Sequence, residues 1–265
     1  MSAAGDERQL LRIDNISVRF GGIVALDGVT FDVNRGEIRG LIGPNGAGKS
    51  TLFNCLSRLY QCDSGSIQFD GHVLSKMPRH QIARVGVGRT FQNLALFRTM
   101  SVRDNVLVGT HAHHHVGFLR DALRLPSAGR QERKAQERAQ FVIEVMNLQS
   151  VSDRTVADLP FGTQKRVELA RALACEPSLL LLDEPACGLN HEELHGLGEL
   201  ILAIRHQMKL TVLLVEHHMG LVMSVCDRIV ALNFGRKIAD GSPKEIRAHP
   251  EVIRAYLGDA EGVSA

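Results

Sequence analysis

This chain of 265 residues is short of most features that would assign it to a special environment. Lys and Arg number 31 against 29 Asp and Glu, so a formal charge of +2 gives no broad field to gather nucleic acid or an anionic membrane surface. Arg interleaved with aromatics is also missing, and no nucleic-acid partner is expected. The five cysteines, Cys55, Cys62, Cys175, Cys187 and Cys226, are odd in number, scattered, and form no CxxC. They suit a reducing compartment and the role of small buried apolar residues. The N-terminal MSAAGDERQLLRID carries no basic-then-apolar leader pattern, and no apolar run approaches the length of a membrane span. A cytoplasmic chain is expected, with any membrane role exercised through a partner.

What is present is ordinary globular material, 44% hydrophobic and 23% charged, with one motif of high information content. LIGPNGAGKST, residues 41 to 51, fits GxxxxGK[ST] between an apolar strand and a helix start. The glycines let successive backbone N–H groups point into one concavity, and the helix adds the positive end of its dipole. Phosphate is the natural guest. Gly43, Pro44, Asn45, Gly46, Ala47, Gly48 and Thr51 build the cradle, Lys49 reaches the outer phosphates, and the Ser50 hydroxyl sits on Mg2+. A turn needing only glycine freedom would not require Lys and Ser next in line.

Around this loop, LLRIDNISVRF and VALDGVTFDV alternate like half-buried antiparallel strands, and SGSIQFDGHVL reads as a hairpin turning at Asp70-Gly71. The stretch 101–150 reads as helices broken at Pro126-Ser127-Ala128-Gly129. After residue 178, apolar runs alternate with helical patterns: SLLLLDEP, a helix, KLTVLLVEHH, then the hairpin DRIVALNFGRKIADGSP and the helical tail KEIRAHPEVIRAYLG. That alternation argues for an α/β core with a mainly parallel sheet, whose ligands gather at strand carboxyl ends. Asp183, Glu184 and His217 fall at such ends. Asp183 is placed to hold Mg2+, Glu184 to polarise the attacking water, and His217 to keep water and phosphate in line. Gln92, in a loop, can reach Mg2+ or that water when the loop closes. His111, His113, His114 and His115 lack a second ligand cluster and read as a solvated loop. Residues 130–140, of mixed charge, read as an exposed helix face.

Taken together these motifs resemble the ATP-binding subunit of an ABC transporter over nearly the whole chain. GPNGAGKS stands as Walker A, Gln92 in the Q-loop, LPFGTQKR as the signature segment, LLLLDEP as Walker B, ACGLN as the D-loop and His217 as the switch histidine. Phe20 resembles the aromatic that stacks on adenine. The resemblance implies one P-loop NTPase domain over 1–265: a nucleotide core with an antiparallel β subdomain (8–91 and 176–243), a helical subdomain (92–175) and a tail (244–265). It implies a dimer in which ATP lies between one subunit's phosphate loop and the other's signature, docked on two permease subunits at the cytoplasmic face of the inner membrane. RFGG, IARVGVGRTFQN, the long insert before the signature, EPACGLN, VEHHM and HPEVIRAYLG are most similar to the importer ATPase for branched-chain amino acids, which an extracytoplasmic solute-binding protein serves indirectly. Lipid or lipopolysaccharide exporters are the alternative, and soluble ABC ATPases a further one. The signature departs from the family. Where LSGGQ is usual the chain has Leu159, Pro160, Phe161, Gly162 and Thr163, followed by Gln164, and Asn190 replaces the D-loop's Asp. These changes touch only what the subunit gives its partner's ATP site, so a heterodimer is expected ahead of a homodimer.

Overall fold

A computed structural model describes residues 8–91, 94–111 and 126–257. Strands β1 (Gln9–Phe20) and β2 (Ile23–Asn34) pair antiparallel, and β1 also pairs with β4 (Ser64–Phe69), whose other edge takes β5 (His72–Val73). The turn between β4 and β5 uses Asp70 and Gly71 at φ 47° and 77°, the left-handed pair that a tight hairpin requires.

The second sheet has six strands in the order β10 (Arg236–Gly241), β9 (Arg228–Asn233), β3 (Ile38–Ile42), β8 (Thr211–Val215), β7 (Leu179–Asp183), β6 (Val87–Arg89). All neighbours are parallel except β10 on β9. In the middle of this sheet both faces are covered, which is why β7 and β8 read as nearly unbroken apolar runs. Along β7, Leu180 and Leu182 join the core with the helices, while Leu179 and Leu181 face the core shared with the antiparallel sheet and α1 (Lys49–Leu56). On β8, Val212 and Leu214 divide from Leu213 and Val215 in the same way, following the period-two pleat. Truncating one of these leucines to alanine costs roughly 2–5 kcal/mol.

The helical part comprises α2 (Val102–Thr110), α3 (Pro126–Val145) and α4 (Phe161–Ala174), with α2 packed on both of the others. Ser101 caps α2 by accepting from the Asp104 N–H. The expected break at Pro126-Ser127-Ala128-Gly129 is corrected: α3 begins at Pro126 and runs on through Gly129, because proline is tolerated in a first helical turn. The charged stretch 130–140 is a mostly exposed face of α3, as its composition indicated. Helices α5 (His191–Met208), α6 (Met219–Val225), α7 (Pro243–Ala248) and α8 (Pro250–Leu257) complete the chain. Among the described residues no helix is long and apolar enough to cross a membrane. Cys55 and Cys226 are buried as expected, whereas Cys62 and Cys175 are only partly buried and Cys187 is exposed on the loop before α5. His113, His114 and His115 lie outside the described residues.

Candidate nucleotide site

Four neighbouring parallel strands end side by side, and each delivers one part of the site. β3 runs into the phosphate loop, β8 into Glu216 and His217, β7 ends on Asp183 before Glu184, and β6 leads to Thr90 and Phe91. The phosphate loop is built so tightly that two glycines are compulsory. At Gly43, φ is 152° and a Cβ would stand 2.3 Å from the Leu232 carbonyl oxygen; at Gly48, φ is 100° and a Cβ would stand 2.6 Å from that of Ala25. Gly48 is the N-cap of α1 and supplies no side chain to its first-turn amides, and no acidic residue follows in that turn. The positive helix end is thereby left for an anion.

Lys49 is buried, and its Nζ donates to the carbonyls of Gly43 at 2.6 Å and Pro44 at 3.0 Å. Burial lowers its pKa, against the opposing pull of Glu184 and Asp183, so both acids lie within electrostatic reach of the ammonium. The β9–β10 turn braces the loop from behind: the Gly235 N–H donates to the Ala47 carbonyl at 3.1 Å. A second brace comes from α8, where the Tyr256 hydroxyl accepts the Gly43 N–H at 2.8 Å. Burial pushes the Tyr256 phenol pKa up, so the hydroxyl is neutral here.

Asp183 is buried, and its Oδ2 accepts from Arg89 at 2.8 Å. Arg89 also donates to the Phe53 carbonyl, Asn54 and Ser57 around the end of α1, tying that helix to β7. Glu184 takes the left-handed conformation at φ 47°, an uncommon state for a non-glycine residue that clusters at functional sites, and its N–H donates to the Val215 carbonyl at 2.9 Å. Glu216 is wholly buried and accepts from the N–H groups of Ala186, His217 and His218. The His217 side chain is half exposed beside His218, with ring centroids 4.8 Å apart.

Pro160 is the N-cap of α4 and has no side chain to cap it, while the Gln164 N–H donates back to the Pro160 carbonyl and its amide to that of Leu159. Phe161 is exposed and lies on Gly188 of the ACGLN loop, where a Cβ would meet the ring at 2.8 Å. Gly162 abuts Glu193 so closely that a Cβ would stand 2.5 Å from its carboxylate. Asn190 caps α5 reciprocally with Glu193, a role that asparagine fills as well as aspartate. Thr163, Thr90, Asp183 and Pro185 share a cavity of about 150 Å³ between this helix start and the strand ends. Phe20 stands apart at the β1–β2 turn, exposed, with Tyr60 edge-on at 5.1 Å. Gln92 lies outside the described residues.

Arg89, Glu216, Tyr256 and Glu168 were not singled out by sequence reasoning. Glu168, on α4, accepts the Phe91 N–H at 3.2 Å, and burial raises its carboxyl pKa. An acidic residue directly before His217 was the available signal for Glu216; the other three sit in stretches that only tertiary packing brings to the site.

The ABC transporter family profile matches residues 26–187, and a profile described as branched-chain amino acid ATP-binding cassette transporter matches residues 236–262. The chain is 45% identical over 253 residues to the high-affinity branched-chain amino acid transport ATP-binding protein BraF of Pseudomonas aeruginosa, covering 96% of this chain and 99% of that one. It is 44% identical over 251 residues to the corresponding protein LivG of Escherichia coli, covering 95% and 98%. Among solved structures, the ADP conformation of an ATP-binding cassette of an ABC transporter superposes with a TM-score of 0.82 at 30% identity, covering 95% of this chain and 99% of that one. With this phosphate loop, these strand ends and matches of that extent, the chain belongs to the ABC transporter family, as one of its ATP-hydrolysing subunits.

Proposed function

We propose that this subunit energises import of branched-chain amino acids from the cytoplasmic face of the inner membrane, by binding MgATP and closing against a second ATP-binding subunit. The observation that carries the reading is the convergence of phosphate loop, Asp183-Glu184 and His217 on adjacent strand ends, in a chain alike from end to end to named importer subunits. The match of the tail at 236–262 favours this importer group over the exporters. The division into lobes is 8–91 with 176–243, 92–175, and the tail 244–265.

Within the site, the first-turn amides of α1 and Lys49 take the phosphates, and Phe20 offers its exposed ring to adenine. Ser50, Asp183 and Gln92 would hold Mg2+. Ser50 and Asp183 fit, since they are hard oxygens beside Lys49, with Asp183 Oδ2 engaged by Arg89 and Oδ1 accepting no hydrogen bond among the described residues. Held there, Mg2+ would supply positive charge against the charge building on the phosphates. Glu184 takes the proton of the attacking water, and His217 keeps the terminal phosphate and water aligned. ATP binds the closed dimer more tightly than the open one, which draws two permease subunits between access states; hydrolysis resets them. A groove lined by Ile82, Val87, Phe91, Val108 and Arg171, beside the segment that leads to Gln92, suits a permease segment that must feel closure. The extracytoplasmic solute-binding protein acts through the permeases.

The second ATP-binding subunit is a different chain. Pro160 and Phe161 deny the partner's γ-phosphate a serine hydroxyl, and a hydrogen bond to a charged group is worth about 1.5–3 kcal/mol. The α4 N-terminus and Gly162 still hold an anion, so that site binds ATP and turns it over slowly. The test is to place Glu184→Gln in this chain alone, then the equivalent change in the partner alone, and to measure amino-acid uptake and ATP turnover. A strong loss in the first case and a weak one in the second is expected; equal losses, or full activity with no second ATPase, would overturn the asymmetry. Loss of uptake of other solutes but not of branched-chain amino acids in a strain lacking this subunit would overturn the solute assignment.

A further inference from the structure

We infer that Glu216 is a positioning residue for hydrolysis, whose one carboxylate sets the main chain of both Glu184 and His217. The inference rests on the reading of those two residues given above. Glu216 is 0% exposed, and its two oxygens serve different loops: Oε1 accepts the Ala186 N–H at 2.8 Å, and Oε2 accepts those of His217 at 2.9 Å and His218 at 3.1 Å. The chain around Glu184 is thus anchored twice on the end of β8. On one side the Glu184 N–H donates to the Val215 carbonyl at 2.9 Å, and two residues later Ala186 is held by Glu216. Between these anchors Glu184 keeps its left-handed φ of 47°, a conformation that costs of order 1–3 kcal/mol and persists only where the surroundings enforce it.

On the other loop the same carboxylate fixes the backbone of His217 and leaves the ring alone. Its Nδ1 is 3.9 Å from Glu216 Oε2, beyond hydrogen-bond range, and the side chain is 49% exposed, so the imidazole can turn while its root stays in place. Only an ionised carboxylate offers acceptors at both oxygens and no donor. Glutamine would turn an N–H₂ toward one of the two loops, donor against donor, and release it. Glu216 reaches no substrate in this arrangement; its effect is registry between the group that accepts the water's proton and the group that holds the phosphate.

The experiment uses the assembled complex in which this chain carries Glu216→Gln, alone and combined with His217→Ala. Misplacing a reacting group by about 1 Å costs on the order of 10²-fold, so kcat should fall roughly 10- to 100-fold with KM for ATP within about twofold. In the His217→Ala background the same change should cost clearly less than in the wild type without vanishing, because one of the two groups it positions is gone and Glu184 remains. Amide exchange at Ala186, His217 and His218 should accelerate while that of the phosphate loop does not. Glu216→Asp, which keeps the charge on a shorter arm, reaches one loop only and should show the same loss should the Gln variant not fold. An unchanged kcat, or equal losses in both backgrounds as a merely destabilising change gives, overturns the inference while leaving the roles of Glu184 and His217 standing. Wild-type turnover by His217→Ala alone would instead remove the reading beneath it, and the inference with it.

Discussion

Arg89 holds Asp183 by a 2.8 Å ion pair in which both side chains are about nine-tenths buried, and with its other nitrogen it grips the end of the helix that begins at Lys49. The strand bearing the acids and the helix bearing the phosphate loop are therefore fixed to each other by one guanidinium. Planarity and five donors make Arg suited to this, since a lysine cannot reach a carboxylate and several oxygens in a fork.

Arg89→Ala should lower stability by about 3–5 kcal/mol, the cost of leaving one member of a buried pair uncompensated. Denaturant unfolding of the two chains measures it. A change under about 1 kcal/mol would mean that Asp183 is held by other contacts.

Lys49→Ala should weaken ATP binding by about 1.5–3 kcal/mol, or ~10- to 150-fold in Kd, through loss of a charged donor to the outer phosphates. Titration with a fluorescent ATP analogue reads this directly. Unchanged affinity would defeat the phosphate-loop assignment.

Phe20→Ala should weaken binding less, by about 0.5–1.5 kcal/mol, because one exposed aromatic face is lost and no charge is. The same titration with ATP and with a bare triphosphate separates the two: ATP should weaken and triphosphate should not.

Tyr256→Phe keeps the packing of α8 and removes the acceptor of the Gly43 N–H. A buried donor left unmade costs about 1–3 kcal/mol, so amide exchange at Gly43 should accelerate and KM for ATP rise several-fold with kcat retained. Protection at Gly43 equal to wild type would show that the tail does not brace the loop.

The strand ends were legible because each apolar run stops on a chemically distinctive residue, as at Asp183 and His217. Glycine spacing marked the tight turn between β3 and α1 because at Gly43 and Gly48 no other residue fits the backbone. The hairpin at Asp70-Gly71 was readable for the same local reason. The start of α3 at Pro126 was misread as a break, since proline both ends and begins helices and only its neighbours in space decide which. Arg89 and Tyr256 were invisible for a different reason: their partners lie 94 and 213 residues away, and no local pattern encodes such pairings. Cys187 looked like a buried apolar residue by composition, yet the tight turn before α5 pushes it outward.

The central claim is that Glu184 accepts the proton of the water that cleaves ATP at this chain's own phosphate loop. The measurement is steady-state phosphate release by the assembled complex carrying Glu184→Gln in this chain, with ATP binding followed in parallel. Turnover should fall by about 10²-fold or more, the scale of a lost general base, while ATP binding persists and closed dimers accumulate. Turnover near wild type with ATP still bound would contradict the account.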